Sequence, residues 1–244
     1  GNMSISMGLI GKGFSIVAAD TRTMNIIQEK PSDEAKKLFQ YESGWVATCG
    51  GVAAHTTLFE AFLNTYKIKT RKQLYNAWLI TVRDTLRVAK ECLSEKEYNE
   101  TDMEMNSTNA FVSINYFNGG SVIEINSLDF AYGRRKLCAE NSLIVHPPKL
   151  TKRIKRLIKE YTELARNVAD VYEAVYTMAC LLNEISRVSN WVSKTLDCGI
   201  SIQISDNEIV LLRLREHVKD IIKQYKQKHD LSEKMMVCGI KKGW

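Results

Sequence analysis

Ser4-Ile-Ser-Met-Gly-Leu-Ile-Gly-Lys-Gly-Phe-Ser-Ile-Val-Ala-Ala-Asp20-Thr-Arg22 contains two short runs, 4–9 and 14–19, rich in Ile, Val, Met and Ala. Gly11, Lys12 and Gly13 lie between them, which is the composition of a hairpin turn, so the chain opens on paired strands. A second hairpin is expected where 37–41 alternates polar and apolar residues and Gly44 precedes the apolar run 45–48; it ends at Gly50 and Gly51. Beyond them Leu58, Ala61, Phe62 and Tyr66 recur at helical spacing, and 71–93 repeats the pattern with Leu74, Trp78, Leu79, Val82, Leu86 and Val88. The polar stretch 94–107 has no apolar period and reads as an exposed loop. A third hairpin follows, 110–116 and 122–126, turning at Asn118, Gly119 and Gly120. After the breaker His146-Pro147-Pro148 come two amphipathic stretches, 149–166 and 171–188, then strand-like 199–204 and 208–213. A last amphipathic helix, 216–228, and a polar tail close the chain without an evident role.

The order is strands, two helices, strands, two helices, strands. Antiparallel sheets need apolar cover, and the economical arrangement is α+β: a four-layer αββα sandwich, two antiparallel sheets between helix pairs. With 244 residues, 45% hydrophobic and 25% charged, and no Pro- or Gly/Ser-rich linker, one large domain suffices. Residues 1–3 read as an expression scar plus initiator Met3, 4–215 as the domain, and 216–244 as its C-terminal helix and tail.

Several classes of function are disfavoured. No apolar run is long enough to span a bilayer and no signal peptide is evident, so a cytoplasmic protein without a membrane partner is expected. The six cysteines lack CxxC or CxxH spacing and His55, His146, His217 and His229 fall in no ligand pattern. No disulfide scaffold, metal or cofactor is therefore expected, and the histidines are assigned to surface or loops. The net charge of +6 is modest. The basic segment 149–159 carries its charges at helical spacing without an aromatic platform, which fits a solvated helix face rather than nucleic-acid binding.

The stretch from Ser4 to Arg22 resembles the start of a mature proteasome β subunit, of the N-terminal nucleophile hydrolase family. There a threonine nucleophile opens the mature chain, Ala-Ala-Asp-x-Arg ends a strand, a lysine begins the next strand and a Gly-Gly pair opens the first helix. The counterparts are Ser4, Asp20 with Arg22, the Lys36-Lys37 pair before Leu38, and Gly50-Gly51. Spacing to Asp20 matches from Ser4, whereas Ser6 requires a deletion inside a strand. A gap-free count from Asp20 gives Lys36, but the family lysine directly precedes an apolar strand residue, which gives Lys37. Alternation groups Lys37 with Phe39 and Tyr41 on the expected inter-sheet face, so Lys37 is preferred and Lys36 stays open. Further along, Leu196-Asp197-Cys198-Gly199 resembles the segment whose aspartate supports the N-terminal amine, which points to Asp197. Ser142, in the context Ala-Glu-Asn-Ser, stands for the family serine ahead of the third helix. The chain departs in having serine instead of threonine, preceded by Met3 rather than glycine.

The chemistry explains the grouping. A serine hydroxyl is weakly nucleophilic, but an N-terminal serine carries its own base, an α-amine of pKa about 7.7–8.0. A lysine ammonium lowers that pKa and polarises the hydroxyl, an aspartate holds the lysine, and the Gly50 amide would stabilise an oxyanion. The resemblance thus implies a peptide or amide hydrolase with Ser4 exposed by loss of Met3. The alternatives are an inactive structural or assembly subunit of the same fold and a small-molecule amidohydrolase. It also implies a homo-oligomer and allows an ATPase partner.

Overall fold

The alternation in the opening hairpin becomes β1 (Ser6–Gly11) and β2 (Phe14–Ala19), antiparallel from Ser6↔Ala19 to Gly11↔Phe14. The two-residue turn Lys12-Gly13 places Gly13 at φ 76°, which a residue without a Cβ adopts readily. The computed structural model describes residues 4–25, 30–130, 135–137 and 139–243. The expected scar and initiator residues 1–3 lie outside them.

The chain continues through a short ribbon, β3 (Thr23–Asn25) with β4 (Lys30–Ser32), to the second hairpin, β5 (Leu38–Tyr41) and β6 (Gly44–Cys49). Helices α1 (Ala53–Thr65), α2 (Arg71–Cys92) and α3 (Glu95–Asn106) follow. The segment 94–107, expected to be a loop, is therefore helical. Ser94 Oγ accepts the Glu97 N–H and the Glu97 carboxylate accepts the Ser94 N–H, a capping box that starts a helix despite its sparse apolar content. Then come β7 (Asn109–Phe117), β8 (Ser121–Asp129), β9 (Arg135–Leu137) and β10 (Ser142–His146). Helices α4 (Lys152–Ala165) and α5 (Val171–Val188), strands β11 (Thr195–Ser205) and β12 (Glu208–His217), and α6 (Val218–Lys226) lead to β13 (Met236–Lys242). The expected polar tail is thus partly a strand, antiparallel to β12 and extending the sheet by one.

The architecture is α+β, with two large antiparallel sheets and six α-helices among the described residues. One sheet runs β10-β1-β2-β11-β12-β13 and the other β5-β6-β7-β8-β9. Side-chain alternation sends each sheet's apolar residues two ways. Met7, Leu9, Ile16, Cys198 and Ile200 join Met178, Leu182 and Ile221 of α5 and α6 in one cluster. Val46, Val112 and Leu128 join Phe59, Leu63, Leu74 and Trp78 of α1 and α2 in a second. Val17, Leu38, Trp45, Phe111 and Leu211 form a third cluster, drawn from both sheets. There Trp45 lies on Gly199, where a Cβ would come within 2.4 Å of the Trp45 ring, and Trp45 Nε1 donates to the Ile200 carbonyl at 3.1 Å, tying sheet to sheet. Phe39 and Tyr41 belong to the cluster beneath α1 and α2, not to the inter-sheet face.

His55, expected at the surface, is buried in α1. Its ring meets Trp78 edge-on, centroids 4.7 Å apart, and its Nε2 lies 3.2 Å from Thr81 Oγ1. Burial pushes its pKa down to about 4. The unfolded chain, with a histidine near 6.5, takes up the proton first as pH falls. The resulting stability is fully present above about pH 6.5 and lost as pH falls toward about 4, a drop of roughly 3 kcal/mol. Denaturant titrations across this window are expected to show that slope, and His55→Gln, which cannot take up the proton, should flatten it. An unaltered slope in the variant would exclude His55 as its source.

Candidate active site

Ser4 precedes β1 and is 4% exposed. Its Oγ accepts the Gly50 N–H at 2.9 Å. Two successive left-handed residues, Gly50 at φ 67° and Gly51 at φ 84°, reverse the chain between β6 and α1 and direct that amide to Ser4. A Cβ on Gly51 would approach Thr108 Oγ1 to 2.3 Å, so the reversal also requires its lack of a side chain.

Asp20, one residue beyond β2, has no exposed surface and organises the surroundings. Its Oδ1 accepts from Lys37 Nζ at 2.7 Å and from the Ile5 N–H at 3.1 Å, the amide immediately after Ser4. Its Oδ2 accepts from the Arg22 and Ser193 amides, each at 3.0 Å. One carboxylate therefore fixes the backbone beside Ser4, the lysine and the segment leading into β11. Lys37 is itself clamped to β6, its carbonyl accepting from Thr48 N at 2.8 Å and Thr48 Oγ1 at 3.2 Å. Lys36 points elsewhere, exposed and paired with Glu60 at 3.4 Å. Lys37 thus meets Asp20 from a position just ahead of β5, where the face shared by Phe39 and Tyr41 does not govern its direction.

Arg22 is engaged by Asp33, Nε to Oδ1 at 2.7 Å, and donates to the Asn190 carbonyl at 2.9 Å. Its guanidinium holds the Asp33 carboxyl below the usual range. Arg22 consequently braces the loop around the site rather than presenting its charge to Ser4.

Two expected site residues make no described hydrogen bond to Ser4, although Asp197 lies opposite Ala19 on the strand beside β2. Asp197 is bound by Arg213, with Nε at 3.0 Å and Nη2 at 2.7 Å, and by Arg215 at 3.1 Å. These cations occupy its oxygens, and no described contact joins it to Ser4. Ser142 pairs opposite Ile10 at the far end of β1, roughly 20 Å along the strand from Ser4 at about 3.3 Å per residue.

Sequence reasoning missed three neighbours. The Cys49 thiol donates to the Ser4 carbonyl at 3.3 Å and receives the Ser4 hydroxyl at 3.5 Å; burial raises its pKa, keeping it a neutral thiol. Ser193 holds Asp20 through its amide and accepts the Thr21 N–H at 3.0 Å through its hydroxyl. His146, assigned to the surface or a loop, ends β10 stacked on Phe111 with centroids 4.1 Å apart, its Nδ1 3.5 Å from Ser6 Oγ. The adjacency of Cys49 to the Gly50-Gly51 pair was the available signal; Ser193 offered none.

Ser4, Lys37, Thr48, Gly50 and Gly51 open on a cavity of about 980 Å³, whose lining extends through Val52, Ala53 and Thr56 to Leu93 and α3. That volume lies in the range of ligand sites. Among the described residues no group of three or more His, Cys, Asp or Glu is placed to hold a metal ion, and no helix is long and apolar enough to cross a membrane. A buried, hydrogen-bonded hydroxyl beside a backbone amide, with a buried Lys–Asp pair one residue away, is an arrangement suited to activating an oxygen nucleophile.

The two sheets and their helices are consistent with the sandwich of N-terminal nucleophile hydrolases. Solved structures of similar fold include Anbu proteins. The chain matches Anbu, described as an ancestral beta-subunit, from Yersinia bercovieri at 13% identity and TM-score 0.63, over 92% of this chain and 94% of that one. It matches the helical assembly of the Anbu complex from Pseudomonas aeruginosa at 15% and 0.64, over 92% and 93%. It matches an Anbu Gly-1 mutant from Hyphomicrobium sp. strain MC1 at 15% and 0.59, over 92% and 94%. At such identities the shared property is the fold. No protein-family model and no curated protein matches the sequence.

Proposed function

We propose that the protein is a proteasome-like N-terminal nucleophile hydrolase, a four-layer αββα sandwich that cleaves peptide or amide bonds with Ser4 after Met3 and everything before it are removed. The supporting observation is that the Asp20 oxygen accepting the amide next to Ser4 also holds Lys37, while the Gly50 N–H meets the Ser4 hydroxyl. In this reading the freed Ser4 amine takes the hydroxyl proton as the oxygen attacks the substrate carbonyl. Lys37 keeps the amine unprotonated by like charge, and Asp20 fixes Lys37. The Gly50 amide receives the developing oxyanion. Collapse expels the leaving amine with that proton and leaves an acyl ester on Ser4, which water, deprotonated by the same amine, hydrolyses. By analogy with the assembled Anbu complex, the chain is expected to self-associate.

The test uses protein shown by intact mass to begin at Ser4. Incubation with a peptide β-lactone, an acylating electrophile, is expected to give a one-to-one adduct that peptide mapping places on Ser4. Protein retaining Gly1 has its amine capped as an amide and should stay unlabelled. An adduct on another residue, or equal labelling of the capped protein, would refute the mechanism.

A further inference from the structure

The face between the two sheets is not uniformly apolar. Ser15 of β2 and Ser201 of β11 have no exposed surface, and Asn115 of β7 is 5% exposed. Ser15 shares a strand face with Val17 and Ala19, and Asn115 with Phe111, all members of the cluster drawn from both sheets. Ser15 also lies opposite Ile10, so this polar group sits toward the end of β1 away from Ser4. Ser15 and Ser201 stand directly opposite each other in the β2–β11 ladder, which brings their β-carbons to about 4.5–5.5 Å on one face. Asn115 reaches them from the other sheet, its Nδ2 donating to Ser201 Oγ at 2.9 Å.

Donors and acceptors in this group do not balance. Among the described residues Ser15 Oγ and Asn115 Oδ1 have no hydrogen-bond partner, and both atoms are shut off from solvent. The Ser201 hydroxyl accepts from Asn115, but no described residue receives its own proton. Exchanging oxygen and nitrogen in the Asn115 amide moves the shortfall to the nitrogen without removing it. Buried polar groups of native proteins are matched in the great majority, by protein or by ordered water. The two serine hydroxyls are too far apart for a direct bond, yet two O–H···O bonds in succession span about 5.5 Å. Three neutral oxygens with no carboxylate are a poor set for a hard cation, which takes six or more oxygen ligands, and they match the roughly three bonds of a buried water. We infer that one internal water is bound between the sheets, accepting the protons of Ser15 and Ser201 and donating to Asn115 Oδ1. With the bond from the Trp45 indole to the Ile200 carbonyl, it ties β2 and β11 to the opposite sheet at the end of β2 remote from Asp20.

The first test is a crystal structure of the full chain at a resolution that orders internal waters. A density peak about 2.7–3.0 Å from each of Ser15 Oγ, Ser201 Oγ and Asn115 Oδ1 is expected. No peak between them, or side chains turned to bond one another directly, overturns the inference. The second test reads the sign of a stability change. Ser15→Ala removes one of the three bonds the water makes, and the melting temperature should fall by about 2–4 °C, the shift that one lost hydrogen bond gives a chain of this size. If the Ser15 hydroxyl were instead buried without a partner, deleting it would leave the melting temperature unchanged or raise it. Ser15→Ala protein that melts at or above the wild-type temperature therefore overturns the place of Ser15 in the site.

Discussion

Ser4→Ala, in protein whose chain begins at residue 4, is expected to lower amide hydrolysis at least about a thousandfold. The magnitude follows from what the residue would supply: its oxygen is the attacking atom and its amine the base. Alanine keeps the amine and removes the atom that forms the acyl intermediate, leaving only binding and oxyanion contributions. The folded state should hardly register the change. The hydroxyl accepts one amide, from Gly50, so its loss costs about 1 kcal/mol. A large fall in kcat/KM with a small shift in melting temperature is thus the expected signature. Ser4→Thr, which restores the residue the proteasome β pattern carries, should keep turnover within about tenfold, since oxygen and amine remain. Ser6→Ala should keep it as well, because Ser6 is fully buried behind Cys49 and His146. Turnover unaffected by Ser4→Ala would end the assignment.

The second large effect is on folding. Asp20→Ala is expected to destabilise the protein by about 3–5 kcal/mol, the cost of leaving a buried charge without its partner. Lys37 would remain buried, and the amides of Ile5, Arg22 and Ser193 would lose their acceptor together. Removing the lysine as well should recover part of that loss, because the orphaned charge disappears. A double-mutant cycle of Asp20→Ala and Lys37→Met, read by urea denaturation, should therefore show the pair less damaging than the sum by at least about 1 kcal/mol. Strict additivity would mean that the 2.7 Å contact carries little coupling.

Elements with strong periodicity were legible in the sequence. The hairpins around Lys12-Gly13 and Asn118-Gly119 and the helices α1, α2, α4 and α5 have patterns set by a buried face, and a buried face writes itself into sequence. Helix α3 escaped because it buries only Met105 fully; its start was nevertheless encoded in Ser94-x-x-Glu97. Strand β13 escaped for a related reason. As an edge strand with most residues exposed or half-exposed, it shows no alternation. At the site, Ser4, Asp20, Lys37 and Gly50 lie together, and their order along the chain carried that information. The face argument used for Lys37 does not hold, since Phe39 and Tyr41 face α1 and α2. Asp197 illustrates the limit: its partners Arg213 and Arg215 lie on the neighbouring strand, and a carboxylate's choice among cations is made by tertiary pairing. Ser193 acts on Asp20 through its main-chain N–H, a group every residue but proline has, so its identity gave no warning.

The strand order β10-β1-β2-β11-β12-β13 has a kinetic consequence. β1 and β2, the first strands made, are flanked by β10 and β11, and Ala19, paired with Ser6 on one side, finds its partner on the other only at Asp197. The amide of Ser193 that secures Asp20 arrives equally late. During synthesis the opening hairpin must wait, unpaired on both edges, until most of the chain has emerged from the ribosome. Such long-range pairing slows folding and exposes strand edges meanwhile. Asp20 consequently gains the last of its donors, the Ser193 amide, long after Cys49 and Gly50 have been made available to the Ser4 hydroxyl.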